Sequence, residues 1–311
     1  MRHLTQVANS LLTLTDCIRW GASQFNAAGL HFGHGTDNAL DEAFGLALQA
    51  VQLPFDLHPR YLDARLTLEE RLAILHLFDR RIRERRPAAY LTGEAWFAGL
   101  PFFVDERVLV PRSPLAEWIA RGFDPWLDAA SVGRVLDLGT GSGCIAVACA
   151  MAFPEAEVDA VDIDAGALAV AARNLARHHL EGRVHLHQSD VYAGLPALRY
   201  DLIISNPPYV DAADFSDLPP EYRHEPGHAL VAGPDGLDVV RRILAGAGDR
   251  LNPGGILVVE VGNSAEAVAR TWPEVPFTWL AFEHGEDGVF LLTAEQLRDD
   301  AVAPGAGPAE G

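Results

Sequence analysis

Lysine is absent from this sequence of 311 residues, so all 24 of its Lys and Arg positions are arginine. The absence excludes every site that needs a lysine amine, including a P-loop, a Schiff base and a pyridoxal phosphate centre. Cysteine is also scarce, since only Cys17, Cys144 and Cys149 occur. A few thiols in odd number are typical of a reducing compartment, which predicts a cytoplasmic protein.

Long apolar runs are missing as well. No stretch reaches the ~18 apolar residues of a membrane-spanning helix. Residues 1–16 have polar breaks and no small-residue cleavage site, so we do not interpret them as a signal peptide. With 49% hydrophobic and 22% charged residues, the composition predicts a soluble globular protein that has no membrane partner.

Positive charge is in short supply, because 24 basic residues face 43 acidic ones and the net charge is −19. A nucleic acid binds through its phosphates, which require a basic protein surface. The charge balance therefore argues against naked nucleic acid as the main partner and against dedicated DNA binding.

Four regions follow one another along the chain. Residues 1–86 have helical periodicity and a capping box at Thr67 and Glu70, which predicts a small helical domain. Residues 87–112 contain short apolar pieces and predict a hairpin connector. Residues 113–296 alternate between strands and helices and predict an α/β catalytic domain, whereas residues 297–311 predict a disordered tail.

The alternating region predicts a mostly parallel sheet with helices on both faces. Its strands are predicted at residues 135–138, 158–161, 184–187, 202–205, 256–261 and 289–292.

A glycine-rich loop, Asp-Leu-Gly-Thr-Gly-Ser-Gly at residues 137–143, follows the first of these strands and opens a helix. Glycine allows a tight turn and the close approach of a ligand. The spacing is GxGxG and differs from the GxGxxG loop that seats a dinucleotide pyrophosphate. It suits S-adenosylmethionine, which has no phosphate; the alternative is a tight turn without a ligand.

Two aspartates stand at the ends of the next two strands. Asp162 lies 19 residues after Gly143, where an acid can hold both ribose hydroxyls of an adenosine. Asp190 is a candidate acceptor for the adenine amino group, or an ordinary turn aspartate. With the glycine loop, these acids predict a ligand that contains adenosine.

The sequence Asn-Pro-Pro-Tyr at residues 206–209 follows the strand at residues 202–205. Two prolines cannot extend a sheet, and they stiffen the loop. The side-chain oxygen of Asn206 and the carbonyl of Pro207 then offer two acceptors, which an –NH2 group requires. We interpret the motif as a substrate site; the alternative is a rigid turn with a buried tyrosine.

The chemistry of an amide explains why such acceptors are useful. An amide nitrogen is a poor nucleophile because its lone pair is delocalised, as the rotation barrier of roughly 18–20 kcal/mol shows. Acceptance of both N–H bonds favours a pyramidal nitrogen that points at the sulfonium methyl group. No strong base is needed, so catalysis would depend on orientation and charge placement, and Tyr209 would stack on the amide or close the pocket.

The motifs at residues 137–143 and 206–209 resemble those of the HemK/Prm family of protein glutamine methyltransferases. The resemblance covers nearly the whole chain and includes residues 90–93, 110–114, 225–230, 233–237 and 260–264. The strings Val-Pro-Arg-Ser-Pro and Val-Gly-Asn-Ser are similar to the branch that acts on ribosomal protein L-three. At Ser113 and Pro114 the chain departs from the release-factor branch.

The resemblance implies a seven-stranded class I (Rossmann-like) S-adenosylmethionine-dependent methyltransferase sheet with one antiparallel strand in its last pair. It also implies that the N-terminal helical domain helps to select a protein substrate, which would be a ribosomal protein, free or within an assembly intermediate.

Site residues follow from the matched motif positions. The resemblance implies that the cofactor is bound by Asp137, Gly139, Thr140, Gly141, Ser142, Gly143, Asp162, Asp190 and Asn206. It implies that Asn206, Pro207, Pro208 and Tyr209 hold the glutamine amide, with Asn206, Pro207 and Tyr209 as the catalytic group. Pro111 and Arg112 would lie over the cofactor pocket, or form a plain structural turn. Val191 stands where relatives often have an aromatic residue near adenine.

Three other functions are alternatives. An adenine-N6 nucleic-acid methyltransferase can use the same acceptors after base flipping, but it needs a basic groove. A release-factor glutamine methyltransferase belongs to the same family. A non-catalytic adenosine-binding or ribosome-assembly module is disfavoured by the intact motif at residues 206–209.

Three charged clusters have two interpretations each. The arginines within residues 80–86 either meet ribosomal RNA or form a solvated helix end. The acids Asp211, Asp214, Asp217 and Glu221 either attract a basic protein or solubilise a loop. The histidines at 178, 179, 185 and 187 lie close in sequence, but we expect no metal ion, because two alternate on a strand and two end a helix.

Overall fold

The structure is a computed structural model that describes residues 2–283 and 288–298. The chain divides into two compact units, Met1–Ala95 with Pro219–His224 and Trp96–Leu218 with Glu225–Gly311. The domain boundaries at residues 86 and 112 stay predictions. The structure differs from them in one respect, since Pro219–His224 belongs to the first unit although it lies within the predicted range 113–296.

The first unit is helical. Its helices are α1 (Arg2–Ala8), α2 (Leu14–Ala27), α3 (Ala39–Ala50), α4 (Leu68–Glu84) and α5 (Ala88–Thr92), with 3-10 turns at Pro59–Tyr61 and Pro220–His224. The predicted capping box of α4 is confirmed. The Thr67 hydroxyl accepts the Glu70 N–H at 3.2 Å, and the Glu70 carboxylate accepts the Thr67 N–H at 2.7 Å. Phe25, Leu46 and Phe78 lie in the apolar core of this unit.

A buried ion cluster ties Pro219–His224 to the helices. Arg81 of α4 is fully buried and donates to the Glu42 carboxylate at 2.8 Å and to the His31 carbonyl at 2.9 Å. The Glu221 carboxylate lies 3.5 Å from Arg81 and 3.0 Å from Arg85. Buried charges persist only when they are paired in this way. The interpretation of the arginine run as an exposed surface is therefore wrong for Arg81, and Glu221 is not a surface acid.

The second unit contains a mixed sheet of seven strands. They are β3 (Arg134–Leu138), β4 (Glu157–Asp162), β5 (Val184–Gln188), β6 (Tyr200–Ser205), β7 (Leu251–Glu260), β8 (Thr278–Trp279) and β9 (Val289–Thr293). Their order is β5-β4-β3-β6-β7-β9-β8, and β9 is antiparallel to both of its neighbours. The predicted class I Rossmann-like fold is confirmed, and each predicted strand is present.

Helices accompany the sheet. They are α6 (Leu115–Ala120), α7 (Cys144–Ala152), α8 (Ala165–His178), α9 (Ala212–Asp217), α10 (Asp238–Arg250), α11 (Ala265–Thr271) and α12 (Ala294–Arg298). Strands β1 (Glu94–Phe97) and β2 (Leu100–Phe103) pair separately, within the range predicted as a hairpin connector. Leu297 and Arg298 belong to α12 although the disordered tail was predicted from residue 297, and residues 299–311 lie outside the described residues.

Two apolar clusters pack against opposite faces of the sheet. Leu202 and Ile204 of β6 belong to one cluster and Ile203 to the other. This is the period of two that a strand imposes, and burial of both faces explains the nearly continuous apolar runs of these strands. Within the described ranges, no helix is both long and apolar enough to cross a bilayer.

Candidate active site

The two sequence motifs start side by side at the carboxyl edge of the sheet. Strands β3 and β6 are parallel neighbours, and Leu138 pairs with Ser205. The Ser205 hydroxyl donates to the Leu138 carbonyl at 2.7 Å. The next residues along the two strands are Gly139 and Asn206, and a Cβ on Gly139 would lie 3.8 Å from the Asn206 carbonyl oxygen. The strand order reverses between β3 and β6, which is where α/β sheets bind ligands.

A cavity of about 390 Å³ opens at this point. Its volume is within the usual range for small-molecule sites. The predicted site residues that line it are Gly139, Thr140, Gly141, Ser142, Asp162, Asp190, Asn206, Pro207 and Pro208. Pro207 is buried and Asn206 is half-buried. The structure thus brings the glycine loop, both strand-end acids and the proline loop to one cavity.

The glycine loop folds back over the end of β4. The N–H groups of Gly139 and Thr140 both donate to the Val161 carbonyl at 2.8 Å, and the Gly141 N–H donates to the Asp162 carboxylate at 2.9 Å. Gly141 has φ +53°, and a Cβ there would meet no atom within 4 Å. The loop therefore leaves open space beside its backbone, where a ligand can approach.

Asp162 is held in a fixed orientation. Its second carboxylate oxygen accepts the Asp164 N–H at 2.9 Å. Burial raises the pKa of Asp162, while the N–H groups of Asp164 and Gly141 oppose that shift. The next residue, Ile163, lines the cavity with 59% of its surface exposed. Sequence reasoning missed Ile163, although an apolar residue directly after the strand-end acid was visible in the sequence.

Asp190 lies in the lining as predicted, but it is already engaged. Arg242 of α10, which also lines the cavity, forms an ion pair with the Asp190 carboxylate. About half of each side chain is exposed, so the pair contributes little to stability. Sequence reasoning did not identify Arg242, and a ligand at Asp190 would share the carboxylate with its guanidinium.

Asp137 and Gly143 lie outside the lining. Asp137 is fully buried and accepts the Thr140 hydroxyl at 2.6 Å, and burial raises the pKa of Asp137 to about 7. Gly143 is the N-cap of α7 with φ +80°, and a Cβ on it would approach the Ala171 Cβ to 3.2 Å. Gly143 thus permits α7 and α8 to pack closely, and Asp137 contacts the loop from beneath.

Tyr209 lies outside the residues that line the cavity, and its role in stacking on the amide or closing the pocket stays a prediction. Its hydroxyl donates to the Glu260 carboxylate at 3.2 Å, and its carbonyl accepts the Ser264 hydroxyl at 2.7 Å. Sequence reasoning used Glu260 and Ser264 only as parts of a family motif. No local pattern connects residues so far apart in sequence.

Pro111 and Arg112 both line the cavity, as the resemblance implies. Arg112 donates to the two carboxylate oxygens of Glu225 at 2.7 and 2.9 Å, and the Val110 N–H donates to Glu225 at 3.0 Å. The Glu225 side chain is fully buried. A bidentate pair of this kind fixes direction as well as distance, so Glu225 sets the course of this loop.

Three of the clustered histidines lie within hydrogen-bond distance of a partner. His185 and His187 of β5 lie 2.7 Å from the carboxylates of Glu157 and Asp159 on β4, and His178 lies 2.9 Å from the Pro101 carbonyl. Within residues 2–283 and 288–298, no three metal-binding side chains converge.

Solved structures support the fold. The catalytic domain of hMettl16 in complex with MAT2A 3'UTR hairpin 6 is similar with a TM-score of 0.51, over 76% of this chain and 84% of that chain. The sequence identity is 19%, so the similarity establishes the architecture alone.

Sequence comparison is more specific. Residues 124–218 match the family described as Methyltransferase small domain. A ribosomal protein uL3 glutamine methyltransferase from Bordetella pertussis is 50% identical over 288 residues, which cover 92% of this chain and 97% of the relative. The protein of the same description from Xanthomonas campestris is 52% identical, over 93% of this chain and 94% of the relative. With half of its residues shared along almost its whole length, the chain belongs to the family of ribosomal protein uL3 glutamine methyltransferases.

Proposed function

We propose that this methyltransferase transfers a methyl group from S-adenosylmethionine to the side-chain amide nitrogen of a glutamine in ribosomal protein uL3. The observation that carries the proposal is the placement of Asn206 and Pro207 beside the glycine loop, in one cavity at adjacent strand ends. The identity of the protein substrate comes from the names of the relatives. Buried free thiols at Cys17, Cys144 and Cys149 suit a reducing cytoplasm, where ribosomal proteins are made.

The residues around the cavity fit the cofactor. An adenosine needs an acceptor for its ribose hydroxyls, and Asp162 presents a carboxylate that two backbone N–H groups already orient. A methionine moiety needs close backbone approach, and Gly141 leaves that space open. We assign the methionine end to Gly139, Thr140, Gly141 and Ser142, the ribose to Asp162 and the adenine amino group to Asp190.

Asn206 and Pro207 would hold the substrate amide. When bound, S-adenosylmethionine supplies an electrophilic methyl group on a positively charged sulfur. The Asn206 side-chain oxygen and the Pro207 carbonyl each accept one N–H of the glutamine amide, which fixes the nitrogen and directs its lone pair. Both acceptors also face the nitrogen as it gains positive charge, and such charge placement is effective in a partly buried site. The nitrogen then releases a proton, so no strong base is required.

The Asn206→Ala variant tests this assignment. One of the two acceptors is removed, so we expect the single-turnover rate of transfer to uL3 to fall by roughly 100-fold. The dissociation constant for S-adenosylmethionine, measured by calorimetry, should change by less than about threefold, which is less than about half of the ~1.4 kcal/mol that a tenfold change represents.

The matched control is Asn252→Ala, which lies at the amino end of β7 and bonds to Asp201 at 2.7 Å. It should transfer at the wild-type rate. Undiminished transfer by Asn206→Ala would falsify the assigned role.

A further inference from the structure

We infer that Glu260 is a positioning residue for methyl transfer, which acts through Tyr209 and Ser113 to fix the loop that presents Asn206 and Pro207. The inference rests on the proposed function of that loop. Glu260 does not line the cavity, so it is assigned no direct role in the reaction.

Glu260 joins two loops through one carboxylate. It is the last residue of β7, which pairs with β6, and only 6% of its surface is exposed. One carboxylate oxygen accepts the Tyr209 hydroxyl at 3.2 Å, and the other accepts the Ser113 hydroxyl. A carboxylate buried this deeply is retained only with hydrogen-bond partners. These two donors come from the loop at residues 206–209 and from the loop at residues 110–114.

Neighbouring residues pack closely around both the ring and the backbone of Tyr209. A Cβ on Gly262 would lie 2.6 Å from the Tyr209 ring, and a Cβ on Gly236 would lie 2.3 Å from the Tyr209 carbonyl. The Ser264 hydroxyl donates to that carbonyl at 2.7 Å. Tyr209 is therefore fixed at its hydroxyl, its ring and its backbone.

Fixing Tyr209 also constrains the two acceptors, which lie two and three residues earlier in the chain. Pro207 and Pro208 restrict the backbone between Tyr209 and Asn206, so a displacement of Tyr209 is passed on to the acceptors with little loss. Misplacement by about 1 Å can lower a rate by as much as 100-fold.

Ser113 extends the same connection to the other loop. It lines the cavity, and its hydroxyl oxygen accepts the Leu115 N–H at 3.2 Å where α6 begins. The Glu260 carboxylate thus holds the Ser113 loop and the Tyr209 loop in one fixed relation. Ser113 also stands at a motif position where the chain departs from the release-factor branch.

A double-mutant cycle of Glu260→Gln and Tyr209→Phe tests the inference. Gln keeps the size but replaces charge-assisted bonds by weaker neutral ones, and Phe removes only the hydroxyl. We expect Tyr209→Phe to lower kcat for uL3 methylation about tenfold, and Glu260→Gln, which also weakens the bond to Ser113, to lower it at least tenfold. The double variant should lose no more than Glu260→Gln alone, because the Tyr209 hydroxyl acts through its contact with Glu260. The KM for S-adenosylmethionine should stay unchanged in all three.

Glu266→Gln is the control, because that carboxylate is 88% exposed and pairs with Arg270 in the same helix. The inference is overturned if the single variants have the wild-type kcat, or if their losses in kcat multiply in the double variant. It is also overturned if the KM for S-adenosylmethionine rises by about the same factor as kcat falls. If Glu260→Gln does not fold, Tyr209→Phe alone decides by the same kcat and KM criteria.

Asn206→Ala, measured in parallel, separates this inference from the proposed function. If Asn206→Ala is inactive while Tyr209→Phe and Glu260→Gln turn over normally, only the role of Glu260 fails. If Asn206→Ala is fully active, the proposed role of Asn206 in that function fails, and the inference about Glu260 fails with it.

Discussion

The carboxyl group of Asp137 occupies a fully buried position beneath the glycine loop, where it accepts the Thr140 hydroxyl. Burial raises its pKa to about 7, although the Thr140 bond acts in the opposite direction. In the unfolded chain an aspartate has a pKa of about 3.9. Between these values the folded protein keeps a proton that the unfolded chain has lost, so this group's contribution to stability falls as pH rises from about 4 to about 7 and is constant above that.

Asp137→Asn tests the direction of this pH dependence, because asparagine does not titrate. The free energy of unfolding of the variant minus that of the wild type should increase by roughly 2 kcal/mol between about pH 5 and pH 8. Urea unfolding at the two pH values measures it. A difference that does not change with pH, or that decreases, would show that the Asp137 pKa is not raised.

Residue roles were predictable only where a motif encoded them. The glycine loop and Asn206 could be identified because their residue types and spacing follow from the chemistry of the ligand. Ser113 and Glu260 are 147 positions apart, and Arg242 meets Asp190 across 52 positions. Such pairs depend on how strands and helices come together, which no local pattern in the sequence contains.

At the level of secondary-structure elements, Asn174 connects three parts of the second unit. It lies on α8, is fully buried, and accepts the Phe103 N–H of β2 at 2.7 Å. Its side-chain amide donates to the Phe103 carbonyl at 2.9 Å and to the Ser142 carbonyl at 2.8 Å. The helix therefore supports the glycine loop directly, through a residue that does not line the cavity.

Asn174→Asp should disrupt this connection with almost no change in size. The two donated bonds are lost, and a carboxylate oxygen then faces two carbonyl oxygens in a buried site. We expect a loss of roughly 3 kcal/mol in the free energy of unfolding. Since Ser142 lines the cavity, the affinity for S-adenosylmethionine should also fall about tenfold.

Denaturant unfolding and calorimetry measure the two effects. Asn252→Asp is the control for cofactor affinity, because it removes a similar donated bond, to Asp201, at the remote end of β7. Unchanged cofactor affinity in a folded Asn174→Asp variant would show that α8 does not support the loop.

Helices and strands whose apolar residues recur at regular spacing could be predicted from the sequence. The elements that could not be predicted have physical reasons. Strand β8 (Thr278–Trp279) has two residues, too few to show any period. Pro219–His224 was placed with the catalytic region, yet Glu221 pairs with Arg81 across 140 positions. The buried pairing of Glu221 with the arginine run depends on the tertiary structure. The sequence alone therefore favoured a solvated helix end for that run.

At the scale of the whole molecule, the sequence defined the kind of chemistry better than the substrate. Two motifs at neighbouring strand ends predicted an adenosine cofactor and an acceptor pair for an –NH2 group. The absence of lysine and the net charge of −19 excluded several other enzyme classes and disfavoured nucleic acid as a partner. Which protein carries the glutamine cannot be read from a cavity of about 390 Å³, because recognition of a protein uses a much larger surface.

The most direct measurement is to offer the enzyme purified uL3, release factor and DNA together with labelled S-adenosylmethionine, and to map the label by peptide mass spectrometry. The proposed function predicts one methyl group on the side-chain nitrogen of a glutamine in uL3. Label confined to release factor or to adenine, or label on another atom of uL3, would contradict it.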